Sequence, residues 1–280
     1  PDGPPDRFFR YSDINFILLG EVVRRVSGMA LNEFAAKNVF QPLKMDSTRF
    51  VPPEDWRSRI APTEKDENGV MLRGVVHDPT SRKMGGVTGH AGLFTTAGDL
   101  AKYARMILDH GAGILKPESV QLMTSPQTVA TVFERRGLGW DIDSAYSRPR
   151  GKVFPLGSFG HTGFTGTSLW IEPGSKSFVV FMSSRLHPDG QGSVRDLYEE
   201  IGSAAAQGMS FAQKGPPWPR DEKEVPTVLN GIDVLVRRKF VVLKGLRVGL
   251  ITNQTGIDAQ RRSTIDLLAE APEVKLKKLM

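Results

Sequence analysis

Cysteine is absent from the 280 residues. Disulfides and thiolate metal centres are thereby excluded, and the redox compartment stays open. No apolar run approaches the ~20 residues of a membrane-spanning helix. No signal peptide is visible at the start, which is Pro1 and not Met. The nucleophile elbow G-x-S-x-G does not occur. Histidine is scarce, at five residues. A metal set drawn from His77, Asp78, His90 and His110 matches no ligand spacing, so neither metal nor cofactor is expected.

The formal net charge of +6 invites a nucleic-acid reading, but its distribution argues against one. Residues 214–280 hold 13 Lys/Arg against 8 Asp/Glu, whereas residues 1–213 hold 24 against 23. The basic character therefore lies in the tail, with no Arg-rich helix or RNA-binding aromatic motif beside it. A solvated basic face is the reading, and no nucleic-acid partner is expected.

What is present is a globular composition and an ordered succession of patterns. Residues 12–27 predict a helix with Ile14, Leu18, Val22 and Val26 on one face and Ile17 and Leu19 beside it. Ser12 is placed to cap it and Gly28 to end it. A short helix follows over 31–39, stopped before Pro42. Residues 51–92 read as a long Pro- and Gly-rich loop. "TAGD" at 96–99 is a capping-box-like start for a helix whose inner stripe is Leu100, Tyr103, Ile107 and His110. Pro117 opens another helix. Strand patterns cover 137–142, 153–161, 165–172 and 177–184, with the turn "EPGS" between the last two. A closing helix spans 193–208. Helices followed by hairpin strands predict an α+β domain over 1–208. A Pro-rich linker covers 209–225. Residues 226–280 then read as a β-α-β start of the parallel-sheet kind, an α/β Rossmann-like beginning.

Two short stretches carry the chemistry. Tyr11-Ser12-Asp13 stands at the start of the first helix. His161-Thr162-Gly163 stands at a strand end among Gly157, Gly160 and Gly166, and so many glycines suggest that something approaches the backbone closely. Read alone, Tyr11 is an aromatic packing on the core, and His161 is a strand-end histidine satisfied by a backbone carbonyl. Trp140 and Trp170 read as core or pocket wall, Thr162 and Ser168 as in-strand hydrogen-bonding residues, and His90 as a loop-packing residue. Asn253 and Thr255 read as strand-end binding groups or turn residues.

Together, Tyr-Ser-Asp at 11–13, "GHAGLFTTAGDLAKYARMIL" at 89–108 and His-Thr-Gly at 161–163 resemble the penicillin-recognising serine hydrolases: class C β-lactamases, D,D-peptidases and their esterase relatives. The resemblance covers residues 1 to about 208 and implies a β-lactamase-like fold. It implies that Tyr11, held as a phenolate by neighbouring cations, takes the proton of a nucleophilic serine. A free phenol titrates near ~10, so it needs those cations. It further implies that His161 and Thr162 face the polar end of the substrate, that Gly163 keeps the strand edge clear, and that the Phe164 N–H supplies half of an oxyanion hole.

Two departures stand out. The family's second motif is Tyr-x-Asn, whereas this chain has Asp13, which only accepts hydrogen bonds when ionised. An anionic group beside it is disfavoured. The family's first motif, Ser-x-x-Lys, is also missing, since no Ser here is followed three positions later by Lys. The nucleophile is expected upstream of Pro1, and the chain is expected to be half of an active site, inactive alone. The tail, 231–279, resembles the first segment of the exo-acting N-acetylmuramidases of peptidoglycan recycling and ends before their catalytic acid motif. The combined expectation is acyl transfer to serine on an ester, amide or β-lactam, with a small or peptidoglycan-derived substrate. A periplasmic or secreted bacterial location goes with it. The rival is a non-catalytic module of the same fold that binds peptidoglycan fragments.

Overall fold

The computed structural model describes residues 9–129, 132–209, 231–245, 247–250, 262–271 and 274–279. The chain divides into two compact units, 1–219 and 220–280. The expected linker, apart from Met209, lies outside the described residues, as do Asn253 and Thr255. No described helix is long and apolar enough to cross a membrane.

The first unit opens with helix α1, Asp13–Ser27. Ser12 stands at its N-cap in an extended conformation, but its side chain makes no capping bond, contrary to expectation. Gly28 ends the helix in the left-handed conformation and donates its N–H to the Arg24 carbonyl, the signature of a glycine stop. Helix α2, Leu31–Ala35, runs on into a widened π turn at Ala36–Phe40. The expected long loop turns out to be pinned. Strand β1, Arg49–Phe50, pairs with β2, Leu93–Phe94. Between them lies helix α3, Pro79–Lys83, whose cap Asp78 accepts the Ser81 N–H. Asp78 also pairs with His90 at 2.9 Å, and Thr88 donates to Ser81 at 2.8 Å. His90 is thus the loop-packing residue that the sequence indicated.

Helix α4, Ala97–Leu108, starts on Thr96, whose hydroxyl accepts the Asp99 N–H. Helix α5, Pro117–Thr124, follows. Five antiparallel strands then form one sheet in chain order: β3 Arg135–Arg136, β4 Asp141–Asp143, β5 Phe159–Thr162, β6 Ser168–Glu172 and β7 Ser177–Phe181. Helix α6, Arg195–Gln207, closes the unit. Alternation along the strands splits the core. Phe159, Leu169 and Ile171 pack with Trp140, Ile142 and the α4–α5 residues Ala104, Met106, Ile107 and Val120. Trp170 packs on the opposite face with Phe154 and Ala206 of α6. Its indole N–H finds the buried Ser158 hydroxyl at 3.0 Å, the partner that a fully enclosed Trp requires.

Two expected strands are shorter than their sequence patterns. The stretch 153–161 is strand only from Phe159, because Pro155 cannot donate to a ladder and Gly157 adopts a positive φ of 107°. Of the stretch 137–142 only Asp141 and Ile142 are strand, in β4, because Gly137–Trp140 form the turn from β3.

The second unit contains helix α7, Gly231–Arg237, strand β8, Arg247–Leu250, helix α8, Thr264–Ala269, and strand β9, Lys275–Leu279. Strands β8 and β9 pair in parallel, the β-α-β arrangement expected for the tail. Ile232, Phe240, Leu267, Leu268 and Ala271 make its core.

Candidate active site

The register of the sheet places the His-Thr-Gly stretch. Gly160 pairs with Asp141 on β4 and with Trp170 on β6. Beyond it, His161 and Thr162 face Leu169 and Ser168 on β6, and the β4 pairing register ends at Gly160. The residues that carry polar chemistry therefore begin where β5 runs past its β4 neighbour. The glycines have internal reasons to be there. A Cβ on Gly160 would lie 2.3 Å from the Trp170 ring. The Gly163 N–H is used within the turn, donating to the Thr167 carbonyl at 2.7 Å. At Gly160 and Gly163 the protein's own β6 and its turn lie close to the backbone.

Tyr11 reaches the same place from the N-terminal side of α1. Its ring lies 6.1 Å from that of His161, nearly parallel at 27°, and 5.2 Å from that of Tyr146. What holds α1 there is the "GHAG" stretch. A Cβ on Gly89 would lie 2.0 Å from the Phe16 carbonyl oxygen, so the loop backbone lies against the helix where no side chain fits. Tyr11 of the first piece thus meets His161 of the third, while Gly89 of the second seats the helix that follows Tyr11. Asp13 sits in the first turn of α1, where a carboxylate is favoured by the helix dipole. Thr162 stands opposite Ser168 in the ladder. Phe164 is 70% exposed. Its ring stacks on His77 at 5.6 Å, the Arg185 guanidinium lies 4.5 Å above it, and its carbonyl accepts Arg185 Nε at 2.6 Å.

Beneath these residues lies a group that sequence reasoning missed. Asp141 is fully buried and forms an ion pair with the nearly buried Arg136. Its Oδ1 also accepts the Ser144 hydroxyl at 2.9 Å, and Ser144 Oγ accepts the Tyr146 N–H at 3.1 Å. The carboxylate therefore anchors the loop that brings Tyr146 to Tyr11. The Arg136 guanidinium lies 5.5 Å from the Tyr11 ring and 5.2 Å from that of Phe9. The one available signal was a charged residue between Trp140 and Ile142 in a strand pattern. Nothing local announced that its partner lay five positions back across a turn.

The electrostatics of the two rings are set first by burial. Burial raises the Tyr11 pKa above the ordinary phenol value, against the opposing pull of Arg136, with smaller upward contributions from Asp13, Asp141 and Tyr146. Arg136, the cation that opposes the rise, is itself paired with Asp141. Burial likewise lowers the His161 pKa. The Asp141 carboxylate and the Thr162 carbonyl pull it up, and Arg136 pushes it down.

Residues 1–202 match the Beta-lactamase family model. The "Putative D-alanyl-D-alanine carboxypeptidase" of Escherichia coli K12 is 32% identical over 63% of this chain and 45% of its own length. The "N-acetylmuramyl-L-alanine amidase" of Bacillus subtilis 168 is 29% identical over 63% of this chain and 44% of its own. The chain thus spans about half the length of the curated relatives it matches. Among solved structures, a β-lactamase from Mycobacterium bovis superposes with a TM-score of 0.54 at 21% identity, covering 74% of this chain and 66% of that one. At that identity the likeness speaks for the fold.

Proposed function

The chain belongs to the beta-lactamase family, the penicillin-recognising serine hydrolases, and from that premise we propose that residues 9–209 form part of a serine hydrolase site working through an acyl-enzyme. The observation that supports it is the convergence of Tyr11 and His161, 150 positions apart in sequence, on ring centroids 6.1 Å apart. In this reading a serine Oγ attacks the acyl carbon of an ester, amide or β-lactam while its proton passes to the Tyr11 side of the site. The leaving group takes a proton and departs, and water then frees the acid. The Phe164 N–H and the free end of β5 receive the acyl oxygen.

Nucleophile and second cation come from outside these 280 residues in this proposal. No Ser here has Lys three positions on, and burial raises the Tyr11 pKa, so proton transfer near pH 7 calls for further positive charge beside it. The apolar stripe of α1 next to Tyr11, exposed at Ile14, Leu18 and Val22, supports further protein packing there. The carboxypeptidase and amidase names of the relatives support cell-wall material as substrate class and a periplasmic or secreted location. The second unit, with its parallel β8–β9 pair, is proposed as the start of a muramidase-like domain. Release of N-acetylmuramic acid from soluble glycan by the full-length natural protein tests that part, and no release by the folded protein contradicts it.

Intact-mass analysis after incubation with a fluorescent penicillin and an activated phosphonate tests the main proposal. The 280-residue chain should gain no adduct, and the full-length natural protein should gain one, on a serine outside these residues. A stoichiometric adduct on a serine within them overturns the assignment. No adduct on either protein, with peptidoglycan fragments still bound, favours a non-catalytic binding module.

A further inference from the structure

Asp141 has a second oxygen that the Arg136 pair does not use. Oδ2 is buried and has no hydrogen-bond partner. On the site side His161 Nε2 lies 4.0 Å from it. That gap is too long for a hydrogen bond and too short to seat a water between the two atoms. The other ring nitrogen, Nδ1, lies 2.8 Å from the Thr162 carbonyl oxygen. A carbonyl only accepts, so Nδ1 carries the hydrogen and, in the neutral ring, Nε2 presents a lone pair. Two acceptors then face each other across the gap, which accounts for both the separation and the unpartnered oxygen.

We propose that Asp141 is a positioning residue for His161, its Oδ2 being the acceptor onto which the His161 Nε2–H closes when the ring takes up a proton. In the imidazolium form both ring nitrogens donate, Nδ1 to Thr162 and Nε2 to Asp141. The buried oxygen gains its partner, and the ring is fixed between β5 and β4. The site thereby has a place for a proton next to Tyr11, held by a carboxylate that cannot move because Arg136 and Ser144 fix its other oxygen. The charged and titratable groups facing the ring are Asp141 from β4, Arg136 from β3 and Tyr11 from the segment before α1, with Tyr146 and Asp13 acting on Tyr11. Burial and Arg136 oppose protonation, whereas Asp141, 4.0 Å from Nε2, and the Thr162 carbonyl favour it.

The inference deepens the acyl-transfer reading and takes its chemical meaning from it, but its test is independent of turnover. The whole chain, with isotope-labelled histidine and His161 assigned through His161→Gln, is titrated by NMR. The neutral ring should be the Nδ1–H tautomer. On protonation an Nε2–H signal protected from exchange should appear. In Asp141→Asn the proton affinity of His161 should fall about tenfold, the lower end of what a carboxylate at this distance supplies. A folded Asp141→Asn whose His161 titrates as in the wild type overturns the proposal. So does a wild-type neutral ring with its proton on Nε2, and that second measurement decides even where Asp141→Asn does not fold. Failure of acylation in the full-length protein with this titration intact would count against the hydrolase reading alone.

Discussion

The two walls of the candidate site are built in opposite ways. The β5 wall rests on a sheet buried on both faces: every residue of β6 is buried, and Trp170 and Ile171 are fully enclosed. The α1 wall has no buried residue at all. Its apolar stripe points outward, with Ile14 65% and Val26 84% exposed, and the helix is seated by Gly20 and the Phe16 carbonyl against Gly89. Apolar periodicity thus marked the helix correctly without saying which face the described body of the protein covers. The chemistry of Tyr11 depends on a weakly embedded helix and that of His161 on a strongly embedded strand.

The sharpest way to break this contrast is to cut into both walls. Trp170→Ala should destabilise the first unit by about 3–5 kcal/mol, as large aromatic truncations in a closed core do, read as the denaturation midpoint. Leu18→Ala on the outer stripe should fall within about 0.5 kcal/mol. Equal losses would show that α1 is embedded as deeply as the sheet. Next comes the buried ion pair beneath the site. Arg136→Met leaves the Asp141 charge unpaired and should cost about 3–5 kcal/mol, whereas Arg136→Met with Asp141→Leu should recover most of it. A double variant no better than the single one would mean that Ser144 and the Tyr146 loop need the carboxylate itself.

A smaller effect sharpens the comparison through pH. Asp99, on α4 behind the sheet, would have its pKa raised by burial, but hydrogen bonds from Lys102, Thr48 and the Ser47 N–H hold it below the ordinary carboxyl value. Its stabilisation is therefore present above the unfolded-chain value near ~3.9 and is lost as pH falls through the lower folded-state value. Asp99→Asn should cost about 1–3 kcal/mol at neutral pH and flatten the acid limb of the stability curve. On α1, Arg24 and Arg25 lower the Glu21 pKa to about 2, yet the cluster is open to solvent and screened by salt. Glu21→Gln should leave the acid midpoint in place, and a shift comparable with that of Asp99→Asn would contradict the assignment of α1 as the loosely held wall.

Much of this was legible in the sequence. The helices at 13–27, 97–108 and 195–207 and the hairpin at 168–181 follow from periodicity and from caps such as Thr96 and Gly28. The juxtaposition of Tyr11 with His161 followed from the resemblance of three separated stretches, not from any local pattern. Local chemistry shortened the strand at 153–161, where Pro155 and Gly157 outweigh the apolar content. Asp141 was illegible because its meaning lies in pairing. Only the turn at Gly137–Trp140 brings Arg136 over it, and only the β4–β5 register brings it under His161. The upward push on the Tyr11 pKa was illegible for a similar reason, since it comes first from burial by distant parts of the chain.

The measurement that bears most directly on the account is turnover of a p-nitrophenyl ester by the full-length natural protein and its Tyr11→Phe variant. The substitution removes one oxygen and keeps the ring against Tyr146 and His161. If Tyr11 carries the proton, kcat should fall about a hundredfold or more while KM changes little. Turnover within a factor of two or so of the unsubstituted protein would remove Tyr11 from the chemistry and, with it, the claim that the meeting of α1 and β5 is a hydrolase site.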